Sequence, residues 1–177
     1  NQDMIMDEFR DEGGIDTATS TNESYNSADF YTNSTTAASS LTADSGNTGH
    51  SPSTVGDTTS DASEKKFGAS SAEFDGSGDY LSAVDHADWD ISASDFTLEF
   101  FIRVADATPS ADYAIWSQRV NNDDQNDFRL RSSGAFSYLA KRSTVELVEI
   151  VSTAEVLTAN TWHHVVYERV NDNYFIW

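Results

Sequence analysis

The chain has 177 residues, no cysteine, and thirty acidic against ten basic side chains, a formal net charge of -20. That balance argues against binding to a phosphate backbone, which needs clustered Lys and Arg to release counterions, and the lack of cysteine excludes a disulfide framework or a thiolate zinc site. No apolar run approaches the roughly 18 residues of a membrane helix, so membrane insertion is not expected, and the length suffices for one domain with a real core plus an appendage.

Residues 1–40 open with an apolar-acidic run, "DMIMDEF", and dissolve into "TATSTNESYNSADFYTNSTTAASS". Ser, Thr and Asn dominate there, and the apolar residues are too sparse to offset the entropy of ordering. The composition predicts an arm or linker over 1–40 and a domain over 41–177. A sharper expectation is that Met4-Ile5-Met6 and Phe9 dock on a neighbouring domain or protomer, with Tyr25, Phe30 and Tyr31 as further anchors. The arm would then link copies into a homo-oligomer. Asn22 and Asn33 head N-x-S/T sequons, which matter where the source glycosylates. The chain starts at Asn1 and stops in "NYFIW" in mid-pattern, so it is expected to be a fragment at both ends.

From Leu41 onward the pattern is β. "DFTLEFFIRV" alternates with a period of two, placing Phe96, Leu98, Phe100, Ile102 and Val104 on one face and Thr97, Glu99, Phe101 and Arg103 on the other. At roughly 1.5–3 kcal/mol per buried apolar side chain, this strand is a strong core contributor. "NDFRLRSSGAFSYLA" reads as a hairpin turning at Ser-Ser-Gly. "TVELVEIV", "TWHHVVYERV" and "DNYFIW" are further strands, rich in β-branched and aromatic residues. "TAEVLTAN" has room for one helical turn, and no segment offers a sustained helical stripe. Many short strands separated by polar turns predict an all-β, antiparallel two-sheet jelly-roll sandwich.

Four motifs coincide in order. "DSGNTGH" (44–50), "KFGASSAEFDGSGDYL" (66–81), "DFTLEFFIRV" (95–104) and "TWHHVVYERV" (161–170) resemble the corresponding segments of laminin-G-like domains of the concanavalin A-like superfamily. The resemblance spans about 41–177. It implies a jelly roll of two antiparallel sheets, usually a non-catalytic module that binds glycans or proteins, often with a structural calcium ion. Such domains are frequent in secreted adhesins, modular carbohydrate-active proteins and phage appendages. Phe101 stands where the family usually has Trp, giving a smaller aromatic platform. The family's closing strands are missing after "NYFIW", so the jelly roll is expected to be truncated at the C-terminus, or completed by another chain.

Candidate ligands follow from chemistry and resemblance together. The resemblance supports Asp44 as a calcium ligand, with carbonyls around Asn47 and His50 as further oxygens; the alternative is an Asx-turn that starts a strand. In the 66–81 segment, Asp75 and Asp79 either cap backbone amides of a glycine turn or join a calcium site. "NNDDQND" (121–127) lacks EF-hand spacing; as a loop at a sandwich end, its Asn122 and Asp124 suit sugar hydroxyls. Trp89, in a loop, and Phe101, on the strand, are candidate stacking aromatics. His163 and His164 are adjacent in a strand and point to opposite faces, so they cannot chelate one ion. Catalysis of the glucanase kind needs paired carboxylates at working distance. Glu99 stands alone on its strand, and Glu146 and Glu149 fall on opposite faces of a straight strand. The expected function is adhesion without chemistry: recognition of surface glycans or a protein receptor by part of an extracellular or virion surface protein. A structural virion or filament component is the alternative, and a glycoside hydrolase the remote one.

Overall fold

The computed structural model describes residues 4–9, 41, 50–67, 70–89, 91, 94–122, 124–154 and 156–177. Its strands in chain order are β1 (Met4–Phe9), β2 (Ser53–Val55), β3 (Thr59–Asp61), β4 (Ser71–Phe74), β5 (Tyr80–Ser82), β6 (Phe96–Val104), β7 (Tyr113–Arg119), β8 (Gln125–Leu130), β9 (Phe136–Arg142), β10 (Val145–Val151), β11 (His163–Val170) and β12 (Asn173–Ile176). One turn of 3-10 helix, Ala87–Trp89, lies between β5 and β6. Six strands form one sheet in the order β12-β11-β6-β1-β4-β3, four form a second in the order β10-β9-β8-β7, and β2 pairs with β5 as a separate ribbon. Every pairing among the described residues is antiparallel, as the sequence predicts. Among the described residues no helix is long and apolar enough to cross a membrane.

The core lies between the two larger sheets and follows the alternation read from the sequence. Phe96, Phe100, Ile102 and Val104 of β6 are buried, as are Val165 and Tyr167 of β11, Phe128 and Leu130 of β8, and Phe136 and Tyr138 of β9. Aromatic rings join the layers: Phe128 stacks on Tyr138 within its sheet and meets Tyr167 of the other sheet edge-on, at 4.5 Å between centroids. The phenols stay paired, with Tyr138 donating to Asn126 Oδ1 and Tyr167 to the carbonyl of Arg129. Burial pushes both phenol pKa values well up.

The start of the N-terminal run, for which docking on a neighbouring domain or protomer is the sharper expectation, pairs with the sheet of residues 41–177. Met4–Phe9 is an interior strand of the six-stranded sheet, with Met4 opposite Phe74 on one side and Val104 on the other, and Met6 between Ala72 and Ile102. The physical reason is edge satisfaction: without β1, both β4 and β6 would present an open row of amides and carbonyls. Residues 10–40, including the sequons at Asn22 and Asn33 and the aromatics Tyr25, Phe30 and Tyr31, lie outside the described residues. "TAEVLTAN" makes no helical turn among its described residues; it closes in a turn at Asn160 (φ 58°) and delivers Leu157 to the core.

Two hairpins use two-residue loops with positive φ at both positions: Ser143 (48°) with Thr144 (72°), and Asn171 (49°) with Asp172 (64°). That geometry matches the twist of the flanking strands. A bulge corrects the straight-strand expectation for β10. It falls between Glu146 and Val148 and sets Glu146 opposite Lys141 and Glu149 opposite Leu139. Lys141 and Leu139 are two apart on β9, so the two glutamates share a face rather than opposing each other. Glu149 there pairs with Arg131 at 3.2 Å.

On the outer side of β8, Asp127 is fully buried under two arginines. Arg119 grips it through Nε and Nη2 at 3.0 and 2.6 Å, Ser117 Oγ donates to it at 2.6 Å, and Arg129 donates from its own strand. Burial alone would push this carboxyl up, but the donors from Arg119, Ser117 and Arg129 outweigh it and hold the group below its ordinary value.

Two outcomes test these placements. Met6→Pro removes a ladder hydrogen bond from a strand paired on both sides and is expected to cost about 1–3 kcal/mol in urea unfolding, the penalty for leaving a buried backbone group without its partner; an unchanged midpoint would show that β1 is dispensable. Asp127→Asn removes the buried charge that accepts from two partly exposed arginines, with an expected cost of about 1.5–3 kcal/mol at neutral pH. A carboxyl with a lowered folded pKa stabilises above its unfolded pKa and loses that contribution as pH falls through the folded value. The variant should therefore close part of its gap to wild type between neutral pH and about pH 3, read from urea curves at both ends.

Candidate functional site

The β2–β5 ribbon organises the loops that carry most of the sequence-predicted ligands. Its register is short: Ser53 opposite Ser82, Thr54 opposite Leu81, Val55 opposite Tyr80. Asp57 follows β2 and Asp79 precedes β5, so they share one end. His50 precedes β2 and His86 follows β5, so they share the other.

At the first end three carboxylates converge: Asp57, Asp75 and Asp79 have oxygens within 4.8 Å of one another. The β4–β5 turn explains why. Asp79 accepts the amide of Asp57 at 2.8 Å through Oδ1 and the amide of Asp75 at 3.0 Å through Oδ2, while Asp75 accepts the amide of Ser77 at 2.7 Å. The capping role expected of Asp75 and Asp79 is therefore filled. Contact with the Asp79 carboxylate pushes the Asp57 carboxyl up, whereas the amide of Asp75, ahead of the other donors, holds Asp79 down. Gly56 makes the approach possible: its φ is +76°, and a Cβ there would stand 2.1 Å from Asp79 Oδ1.

At the other end, His50 Nε2 lies 2.8 Å and His86 Nδ1 3.1 Å from the same Asp88 oxygen, Oδ2. The Trp89 ring packs on His50 at 4.7 Å between centroids, and its Nε1 donates to the carbonyl of Val84 at 3.0 Å. Trp89, expected as an exposed stacking residue, is thus partly buried as a support for His50. The hydrogen bond from His50, more than any other influence, holds Asp88 below its ordinary value.

Phe101 stands on the outer face of the six-stranded sheet. Its ring stacks on His164 at 4.6 Å, meets Phe67 edge-on at 5.1 Å, and has Lys66 Nζ 5.8 Å from its centroid. Phe67 is 48% exposed, so the pair presents aromatic surface with a cation beside it. Under this pair, His164 Nε2 bonds Glu99 Oε1, and Glu99 is 5% exposed. His163 points the other way and accepts the amide of Thr158 at 2.9 Å, as strand alternation requires.

The loop after β7 is fastened to a neighbouring turn. Asp124 Oδ1 accepts the amide of Ser143 at 2.9 Å, tying it to the β9–β10 turn, and Arg119 Nη1 reaches exposed Asn122 at 3.5 Å. Asp44, Asn47 and Asp123 lie outside the described residues. The described candidates therefore divide among separate places: His50 with Trp89, Asp75 with Asp79, Asn122 near Asp124, and Phe101 apart. Sequence reasoning misses Asp57, His86, Asp88, Phe67 and His164 as members of these groups. A Gly-Asp pair just after β2 and the His-x-Asp spacing of "DHADW" are the available signals.

The model of the concanavalin A-like lectin/glucanases superfamily matches residues 75–173, more than half of the 177 residues, and the chain belongs to that superfamily. A laminin-G-like domain of this kind fits a carbohydrate- or protein-binding module. Comparison with curated proteins and with solved structures gave no match.

The glycine geometry gives a direct test. Gly78 also has positive φ (+86°), with nothing within 4 Å of an added Cβ. Gly78→Ala should cost only the left-handed backbone penalty, about 1–2 kcal/mol. Gly56→Ala should cost more, because the Cβ also drives Asp79 from the amide of Asp57. Thermal melts of the two variants rank them, and equal losses would mean that Asp79 yields without cost.

Proposed function

We propose that the chain is a non-catalytic adhesion module of a larger extracellular or virion surface protein, one that recognises surface glycans or a protein receptor and uses calcium as a structural cation. The observation that carries this reading is the exposed Phe67–Phe101 pair with Lys66 alongside, on the outer face of the six-stranded sheet. Aromatic faces bind the apolar faces of sugars and the side chains of protein partners, and a neighbouring ammonium adds a hydrogen-bond donor for hydroxyl or carboxylate groups.

Calcium fits the donors at Asp57, Asp75 and Asp79. A hard cation takes six to eight oxygens, and each carboxylate oxygen that accepts a backbone amide keeps further lone-pair capacity. Neutralising three clustered acids in a chain of net charge -20 would also relieve repulsion between Asp57 and Asp79. In this reading the ion braces the ribbon end, and the aromatic surface makes the contact.

A second reading, a structural component of a virion or filament, draws on β1. A strand that completes a sheet from the N-terminal end of the chain can also be exchanged between copies, which would join protomers without a separate receptor.

The test is a glycan array probed with the full chain in calcium and in EDTA, together with a thermal melt in each. Retention on particular glycans with a lower melting temperature in EDTA is the expected result, and Asp79→Asn should abolish the calcium-dependent part of the melt. An identical melt in calcium and EDTA would sink the calcium assignment. A folded protein silent on every array, and multimeric by light scattering, would favour the structural reading.

A further inference from the structure

We propose that His50, His86 and Asp88 form a binding site for a borderline transition-metal ion of the zinc class, distinct in position and donor chemistry from the carboxylate cluster. The three side chains offer two imidazole nitrogens and one carboxylate oxygen, all within 4.8 Å of one another. Oxygen-only sets select calcium or magnesium, whereas imidazole nitrogen with a carboxylate suits zinc and its neighbours.

The spacing is close to what coordination needs. Metal–ligand bonds of about 2.0–2.1 Å at a tetrahedral ion separate neighbouring donor atoms by about 3.3 Å. His50 Nε2 and His86 Nδ1 stand 2.8 and 3.1 Å from Asp88 Oδ2 and within 4.8 Å of each other, distances of the order that shared coordination sets. Two of the donors come from one local unit. His86 and Asp88 flank the first residue of the 3-10 turn Ala87–Trp89, and the carbonyl of His86 accepts the amide of Trp89 at 3.1 Å. The third arrives from 38 residues earlier along the chain, held against the same turn by the β2–β5 ribbon.

Support around the ligands is also present. The indole of Trp89 and the ring of His86 each lie 4.7 Å from the His50 ring, and the bond from Trp89 Nε1 to Val84 fixes the indole. The amide of Asp88 donates to His86 Nδ1 at 3.2 Å; a metal taking that lone pair releases an exposed amide to solvent, a small loss. Side-chain exposure rises from 14% at His50 through 33% at Asp88 to 54% at His86, which leaves an approach path on the His86 side. Three protein donors leave a fourth position for water or for a donor atom of a bound ligand.

The test uses the full chain, stripped with chelator and titrated with zinc by calorimetry, with calcium in parallel. The side-chain nitrogen resonances of the histidines are followed by NMR during the same titration. One saturable zinc site is expected, with shifts confined to the His50 and His86 rings. His86→Ala and the milder His86→Gln, both at an exposed position, should each weaken zinc by at least about tenfold, whereas Asp79→Asn at the opposite end of the ribbon should leave it unchanged. Backbone spectra of the variants establish that they remain folded. Zinc heat that survives in both His86 variants, or that disappears in Asp79→Asn instead, would overturn the proposal, as would imidazole resonances that do not move. None of these readouts depends on whether calcium or a glycan binds.

Discussion

The contact between Phe128 and Tyr167, with ring centroids 4.5 Å apart, is where the two large sheets meet, and much of the molecule is arranged around it. A chain without cysteine has no covalent staple, so apolar burial between the layers must offset the entropy of ordering many short strands. Aromatic rings are an economical way to do this. Phe96, Phe100 and Phe136 extend the same cluster, and Tyr174 of the edge strand β12 packs on Tyr138. Each ring spans more of the gap than an aliphatic side chain would, and edge-to-face contacts add geometric preference to area. The loops can then be largely acidic and polar, adding to the core only through single residues such as Leu41 and Leu157.

Charge is distributed to match. Five of the ten basic residues, Arg119, Arg129, Arg131, Lys141 and Arg142, fall on or beside β7, β8 and β9. The arginines there serve internal partners: Asp127 for Arg119 and Arg129, Glu149 for Arg131, and the carbonyls of Gln125 and Lys141 for Arg142. Half of the molecule's basic side chains thus belong to one sheet, and the negative excess gathers elsewhere, including the turns at the ends of the β2–β5 ribbon. An uneven distribution of this kind favours cations at those turns and disfavours polyanions.

Strands with a clean period of two are legible in the sequence itself, because alternation is a local property. β6, β8, β9, β10 and β11 follow from it, together with the turn chemistry between β8 and β9. What is not legible depends on partners distant in sequence. "MIMDEF" runs three apolar residues, two acids and a phenylalanine with no period of two, and nothing within it says that β4 and β6 leave a slot of its width. The bulge in β10 reverses the phase of Glu146 relative to Glu149, and a straight-strand assumption cannot foresee it. Asp75 and Asp79 are legible as turn residues because amide partners lie two to four residues away. Asp57 is not, since it meets Asp79 across 22 residues. Sequence proximity likewise groups His50 with Asp44 and Asn47, whereas the fold brings it to His86 and Asp88.

The ribbon explains why those distant residues meet in two groups instead of one. Two strands of three residues each, paired rung for rung, bring together whatever precedes one strand with whatever follows the other. A ladder of that length is about 10 Å long, more than the Debye length of about 8 Å at physiological salt, so charge at one exposed end is largely screened from the other. The two ends also differ in donor chemistry. One end carries oxygen donors only, drawn from aspartates whose geometry is set by backbone amides. The other carries imidazoles set by an indole. Hard and borderline cations discriminate between such donor sets, so the two ends of one short ribbon differ in the chemistry that they offer to a cation.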